Sequence, residues 1–162
     1  QMMYTALQQE SPSVLRYPRG VGEGTEWRGV PFEAVEVGRG ECLREGKDIA
    51  ILAVGTMANV ALRAAERSTK SVAVYDLRYV KPLDEALILD VAQRFKHIIT
   101  IEDGILRGGV GESIAALIAR NSLSPKITTL GIDDSFVEHG KPAELYADCG
   151  YDEEALLKEL EK

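Results

Sequence analysis

The sequence predicts an α/β domain built on an open, mostly parallel sheet covered by helices on both faces. Three observations lead there. Ile49-Ala-Ile-Leu-Ala-Val54 is a near-continuous apolar run, the pattern of a strand buried on both faces. Similar runs follow at Ser71–Tyr75, His97–Ile101 and Lys126–Leu130. Between them lie segments whose apolar residues recur at helical spacing, and strands alternating with helices build parallel sheets with helices on each face.

The elements follow in order. Gln1–Glu10 carries a short helical pattern with Met3, Ala6 and Leu7 on one face. Leu15-Arg-Tyr-Pro-Arg-Gly20 reads as a strand end stiffened by proline that runs into glycine. From Val21 to Pro31 the chain is rich in glycine and acid and lacks either period, which reads as a linker. Trp27 and Phe32 are expected to pin that linker to a surface. Glu41–Arg44 reads as a short edge strand turning at Glu45-Gly46 into the run at Ile49. Gly55-Thr56 then opens a helix to Arg67 with Val60, Ala61, Ala64 and Ala65 as its stripe. Pro82-Leu83-Asp84 starts a helix carrying Leu87, Ile88, Val91 and Ala92, and Gly108-Gly-Val-Gly111 precedes one carrying Ile114, Leu117 and Ile118. Two helices close the chain, one from Pro142 to Asp148 with Gly150 as its stop, one from Asp152 to Leu160.

Bulk properties exclude several function classes. A length of 162 residues holds one domain of ordinary core size plus an appendage. The formal charge of −7, with basic residues scattered among acids, argues against nucleic acid and against anionic membrane surfaces. No apolar run approaches the roughly 20 residues of a spanning helix, and no signal-peptide pattern opens the chain, so a soluble protein is expected. Cys42 and Cys149 are distant and form no CxxC pair, so both are expected as free thiols in a reducing cytoplasm.

Ligands of open parallel sheets gather at the carboxyl ends of the strands. Here those ends are Gly55-Thr56, Asp76-Leu77-Arg78, Glu102-Asp103-Gly104 and Ile132-Asp133-Asp134. The glycine turn at 108–111 suits an anion in principle, but its spacing matches neither the dinucleotide nor the P-loop fingerprint, so it reads as a tight strand-to-helix turn. Glu102 and Asp103 are adjacent, and neighbours on an extended chain point to opposite faces; capping or solvation fits them better than an acid–base pair. Arg78 and Lys81, bracketed by Asp76 and Asp84, read as a structural ion-pair network. His139 sits in a loop without convergent partners, His97 reads as structural, and neither metal-ligand spacing nor a G-x-S-x-G nucleophile is present. Of the arginine pair 16 and 19, strand alternation allows only one to face a ligand. Pro18 fixes the backbone before Arg19 and Gly20 lets the chain turn away, which puts Arg19 at a pocket mouth and Arg16 toward structure.

Several phrases together resemble one family. Arg16-Tyr-Pro-Arg-Gly20, Gly46-Lys-Asp-Ile-Ala-Ile-Leu-Ala-Val-Gly-Thr56, Tyr79-Val-Lys-Pro-Leu-Asp84, Glu102-Asp-Gly with Gly108-Gly-Val-Gly111, and Phe136-Val-Glu-His-Gly140 resemble, in order, the C-terminal part of the 1-deoxy-D-xylulose-5-phosphate synthases. The first and last phrases are specific to that family. The middle ones are shared with transketolase and with the beta subunits of 2-oxo acid dehydrogenases. Two departures stand out: Glu102-Asp103 replaces the family's usual Glu-Glu, and Lys141-Pro142 follows His-Gly where small polar residues are common.

The resemblance implies a three-domain, homodimeric cytoplasmic enzyme that uses thiamine diphosphate and magnesium. It decarboxylates pyruvate and joins the two-carbon fragment to glyceraldehyde 3-phosphate, feeding isoprenoid, thiamine and pyridoxal synthesis. It implies that residues 1–20 end the pyrimidine-binding second domain, 21–38 form a linker and 39–162 form the third domain. That third domain would be a three-layer α/β/α unit with a five-stranded, mostly parallel sheet whose first strand is antiparallel. The family's arginine near the acceptor phosphate falls on Arg19. Its catalytic glutamate, cofactor-binding and metal-binding residues precede the matched region, so the chain is expected to be a noncatalytic fragment serving structure and dimer contacts. A freestanding flavodoxin-like binding or dimerisation module and a 2-oxo acid dehydrogenase beta subunit are the alternatives.

Overall fold

A computed structural model describes residues 1–18 and 29–162. Among the described residues, five strands form one sheet in the order β1-β3-β2-β4-β5: β1 (Glu41–Arg44), β2 (Ile49–Ala53), β3 (Val72–Asp76), β4 (His97–Ile105) and β5 (Lys126–Ile132). β2 pairs in parallel with β3 and β4, β4 in parallel with β5, and β1 lies antiparallel on β3. The helices of the same residues are α1 (Met2–Leu7), α2 (Met57–Arg67), α3 (Glu85–Arg94), α4 (Val110–Arg120), α5 (Pro142–Asp148) and α6 (Glu153–Leu160).

The strands sort their side chains by parity, and each face receives its own helices. Ile49, Ile51 and Ala53 of β2, Val72 and Val74 of β3, and Ile99 and Ile101 of β4 pack under α2 and α6, with Tyr151, Leu156 and Leu160 filling that layer. Ala50 and Leu52, Ala73 and Tyr75, and Ile98 face α3 and α4, where Ile88, Val91, Ile114 and Ile118 meet them. All five residues of β2 are buried, as a central strand with two covered faces requires. The helix starts are set by chemistry already visible in the sequence. Asp84 caps α3 by accepting the Leu87 N–H at 3.0 Å, and Asp152 caps α6 by accepting the Ala155 N–H at 2.8 Å.

The structure corrects three expectations. β4 runs four residues beyond Ile101, its register against β5 breaking between Ile101 and Ile105, so Glu102, Asp103 and Gly104 lie within the strand rather than at its tip. Both β4 and β5 continue because each finds the other's backbone to pair with past the apolar run. The face of α1 bearing Met3 and Leu7 is exposed; the buried residue is Thr5, whose hydroxyl bonds the Gln1 carbonyl and accepts the Val35 N–H at 2.9 Å. A local polar tie, not the apolar stripe, docks this helix. Arg78 pairs with Glu41 on the antiparallel edge strand, while Asp84 takes Arg39 at 3.4 Å, so the expected network of Asp76, Arg78, Lys81 and Asp84 is split, Arg78 and Asp84 each finding a partner outside it. Phe32 does pin its segment, stacking on Tyr4 with ring centroids 6.2 Å apart; Trp27 lies outside the described residues.

Candidate functional site

The carboxyl ends of β2, β3 and β4 open into a cleft of about 1160 Å³, walled on the far side by α1 and by residues 11–18. A second hollow of about 260 Å³, beside Leu106, Arg107 and Asp134, lies at the carboxyl end of β5. The larger cleft sits where a parallel sheet places ligands, between the loops that leave β2 and β4 in opposite directions.

Three turns shape its floor, and each uses a left-handed backbone. Gly55 (φ +62°) follows β2 and Gly108 (φ +76°) precedes α4, where glycine adopts this conformation without strain. Arg78 (φ +54°) follows β3, and a side-chain-bearing residue there is strained and has to be held by its surroundings. Its backbone N–H donates to Asp76 Oδ1 at 2.9 Å and its guanidinium to Glu41. Burial pushes the Asp76 carboxyl above its ordinary value, and the Arg78 N–H it accepts pulls it partly back. Lys81 is exposed on the same wall.

The glycine turn at 108–111 is not an open anion cradle. Glu102, only 6% exposed, places its carboxylate on the N-terminus of α4, accepting the Val110 N–H at 3.1 Å and the Gly111 N–H at 2.8 Å. The chain thus supplies its own anion to the positive end of the helix. The glycines are there to admit it. A Cβ on Gly109 would stand 2.2 Å from the Ile105 carbonyl and 2.8 Å from the Glu102 carboxylate; one on Gly111 would stand 2.5 Å from Thr100 Oγ1.

Asp103 points the other way, as alternation requires. Its Oδ1 accepts the Tyr151 hydroxyl at 3.0 Å, and its Oδ2 accepts the Tyr146 hydroxyl at 3.4 Å and a guanidinium N–H of Arg16 at 3.4 Å. The structure brings Arg16 to Asp103 on the lining of the cleft, rather than away from it as strand alternation predicts. Arg19 lies outside the described residues. His139 is exposed in its loop, and His97 bonds Thr128 at 3.0 Å on the opposite edge of the sheet. Cys42 and Cys149 are free thiols. Sequence reasoning missed Tyr146 and Tyr151 as partners of Asp103. Their signal was present: they flank the helix stop at Gly150, where a five-residue step across a chain reversal returns both rings to one side, 5.0 Å apart.

Among the described residues, no three His, Cys, Asp or Glu side chains come together as a metal site. No described residue is assigned to magnesium or to a diphosphate. No helix among them is long and apolar enough to cross a membrane.

Residues 38–156 match the model of the family described as "Transketolase, C-terminal domain". The chain is 47% identical to the 1-deoxy-D-xylulose-5-phosphate synthase of Bacteroides thetaiotaomicron, a match covering 99% of the chain and 26% of that relative. It is 46% identical to the synthase of Phocaeicola vulgatus, over 98% of the chain and 26% of the relative, and 38% identical to that of Burkholderia ambifaria, over 99% and 25%. Among solved structures it resembles a chain named "Split gene transketolase, inactive beta4 tetramer", with a TM-score of 0.72 and 29% identity over 79% of this chain and 43% of that one. The chain spans about a quarter of the length of the curated relatives it matches.

Proposed function

The chain belongs to the transketolase C-terminal domain family, and from that premise we propose that it forms the carboxyl-terminal part of a 1-deoxy-D-xylulose-5-phosphate synthase. One observation carries this reading beyond the broad family. The family model begins at residue 38, whereas the match to the synthases covers 99% of the chain and so includes the segment with Arg16-Tyr-Pro-Arg-Gly20. A bare transketolase-type module, or a dehydrogenase beta subunit, shares the later phrases but gives no account of that one.

In this reading the whole enzyme condenses pyruvate with glyceraldehyde 3-phosphate and releases carbon dioxide. Thiamine diphosphate and magnesium supply the carbanion chemistry, and they are held by parts of the enzyme other than the residues described here. Residues 1–20 close the second domain, 21–38 link and 39–162 form the third domain, a division supported by the family match over 38–156. Arg19 binds the acceptor phosphate, for which a guanidinium fork is suited. The remaining residues hold the scaffold and contribute to homodimer contacts in the cytoplasm, and the chain by itself is noncatalytic. The structural neighbour, described as an inactive tetramer of beta chains, is in keeping with a domain that works only with the rest of its enzyme.

The test is a thiamine-dependent turnover assay with pyruvate and glyceraldehyde 3-phosphate, run on the full-length polypeptide that contains this sequence and on the 162-residue chain. Product from the first and none from the second is expected. No product from the full-length protein removes the synthase reading, and product from the short chain removes the claim that it is noncatalytic.

A further inference from the structure

At the exit of β3, one arginine is gripped at both ends. The left-handed backbone of Arg78 (φ +54°) is strained, and such residues persist only where their neighbours enforce them, most often beside a ligand. Leu77, just before it, is buried and donates its N–H to the Ala53 carbonyl at 2.9 Å, so the chain enters the turn from a fixed point. Asp76 accepts the Arg78 N–H at 2.9 Å, and Glu41 on β1 accepts from the guanidinium. Glu41 stands directly opposite Asp76 in the β1–β3 register. Carboxylates at opposed positions repel, and here the backbone N–H and the guanidinium of a single residue offset that repulsion. Arg78 lines the cleft with Lys81, whereas the carboxylates that β4 presents there have donors of their own, the start of α4 for Glu102, two tyrosines and Arg16 for Asp103. Among the described residues, Glu41 is the one hydrogen-bond partner of the Arg78 guanidinium, which carries more N–H donors than a single carboxylate takes.

We propose that Glu41 and Asp76 are positioning residues: gripping Arg78 by its guanidinium and by its backbone, they fix where the remaining N–H groups of the fork stand in the cleft. The inference rests on the synthase reading above and extends it to the third domain. Both substrates of that reading are anions, and their chemistry separates them. The carboxylate of pyruvate leaves as carbon dioxide, so a guanidinium fixed on it stabilises the ground state over the departing group and slows that step. The phosphate of glyceraldehyde 3-phosphate stays intact through the condensation and suits a fork that does not move. Glu41 and Asp76 touch no substrate. They set the place of the group that does, and small displacements of such a group cost far more than the bond that is removed.

The experiment uses the full-length enzyme with Glu41→Gln, Glu41→Asp, Asp76→Asn, Arg78→Ala and the double variant E41Q/R78A. Steady-state constants are measured for pyruvate, for glyceraldehyde 3-phosphate and for unphosphorylated glyceraldehyde. E41Q is expected to raise the KM for the phosphorylated aldehyde about tenfold and to leave the KM for glyceraldehyde and for pyruvate within about twofold. E41D, which keeps the charge, stays within about threefold of wild type. R78A raises the same KM further, about a hundredfold, and E41Q adds nothing in the R78A background because its whole effect runs through that guanidinium. A loss that E41Q still causes in that background, equal effects on the two aldehydes, or an unchanged KM in E41Q overturns the proposal while the wild-type enzyme remains a synthase. Absence of product from wild type overturns the synthase reading, and this inference with it. Amide hydrogen exchange at Arg78 without substrate is the readout for Asp76: D76N, which leaves a weaker, neutral acceptor, is expected to speed it about fivefold, and unchanged protection shows that Asp76 does not hold this backbone.

Discussion

The two edges of the sheet are built from the same materials and behave differently. At the amino edge, segments arriving from the helices close on the strands through short-range bonds. Lys47 and Asp48 donate their N–H groups to the Ser71 carbonyl, the Asp48 carboxylate accepts the Ser71 N–H at 2.7 Å, and Glu161 accepts from Ser68 and Thr69. Glu159, on the last helix, gathers Lys162 at 2.5 Å and Lys126 at 3.5 Å. At the carboxyl edge β2, β3 and β4 are followed by left-handed residues at Gly55, Arg78 and Gly108, and the edge opens into the cleft. Both edges put a glutamate to work. Both are buried, but Glu159 is paired with lysines that are themselves mostly exposed, whereas Glu102 is bonded to backbone N–H groups at the start of α4. A carboxylate whose partners are solvated lysines holds mobile side chains; one whose partners are the N–H groups of a buried helix end fixes the floor of a site.

The sharpest way to break that comparison is to neutralise both glutamates. Glu102→Gln leaves one carbonyl oxygen and turns an NH₂ toward a backbone donor, so a buried N–H loses its partner at a cost of about 1–3 kcal/mol. Glu159→Gln is expected to cost less, about 1 kcal/mol, because the amide oxygen remains an acceptor at this buried position and the exposed lysines it releases regain water. Urea unfolding of the two variants measures the difference. Equal losses end the distinction between a carboxylate held by backbone N–H groups and one held by solvated lysines.

Next in size comes Gly109→Ala. The backbone there is extended and permits any residue, so the cost is the added methyl's collision with the Ile105 carbonyl and Glu102, on the order of 1–3 kcal/mol. Gly108→Ala is the control with the opposite cause: nothing lies within 4 Å of its Cβ, and only the φ of +76° opposes it, costing about 1 kcal/mol. Far-UV circular dichroism during denaturation reads both. G109A milder than G108A means that Glu102 and its strand give way easily, and that the floor is softer than its contacts indicate.

These contacts also mark the limit of what the sequence makes legible. The layers were readable because burial on both faces writes itself as Ile49–Val54 and its successors, and helix stripes such as Val60-Ala61-Ala64-Ala65 have only one way to pack. The helix caps at Asp84 and Asp152 were readable from their positions next to the periodic segments. The site was legible only in kind. Spacing says that Glu102 and Asp103 face apart, but not that one meets the N-terminus of α4 and the other two tyrosines more than forty residues away, because those distances are set by how α4, α5 and α6 settle on the sheet. The extension of β4 to Ile105 escaped for a related reason. It comes from backbone pairing with β5, which leaves no apolar signature in side chains as polar as Glu102-Asp103-Gly104.

The smallest expected effect belongs to the amino edge and depends on pH. His97 opens β4 with its Nε2 3.0 Å from Thr128 Oγ1, and the Thr128 hydroxyl lies 3.4 Å from Glu159 Oε1. Burial is the largest influence on the ring and lowers its pKa; Lys126 on β5 and Lys70 ahead of β3 lower it further, while Glu159 on α6 opposes them. The folded value thus lies below the ordinary 6.5 of the unfolded chain. Below that pH the unfolded chain binds more protons, so the contribution of His97 to stability is present above pH 6.5 and is lost as pH falls through the folded value. Denaturant titrations at about pH 7.5 and 5.5 are expected to show wild type losing stability and His97→Gln, which keeps a hydrogen-bonding group without the proton equilibrium, losing less. Parallel losses in both proteins assign the slope to other groups and leave the amino edge insensitive to pH in this range. A flattened profile in H97Q instead shows that even the closed edge carries a titrating contact, one that holds the start of β4 to β5 and the last helix while the cleft lies at the other end of the same strands.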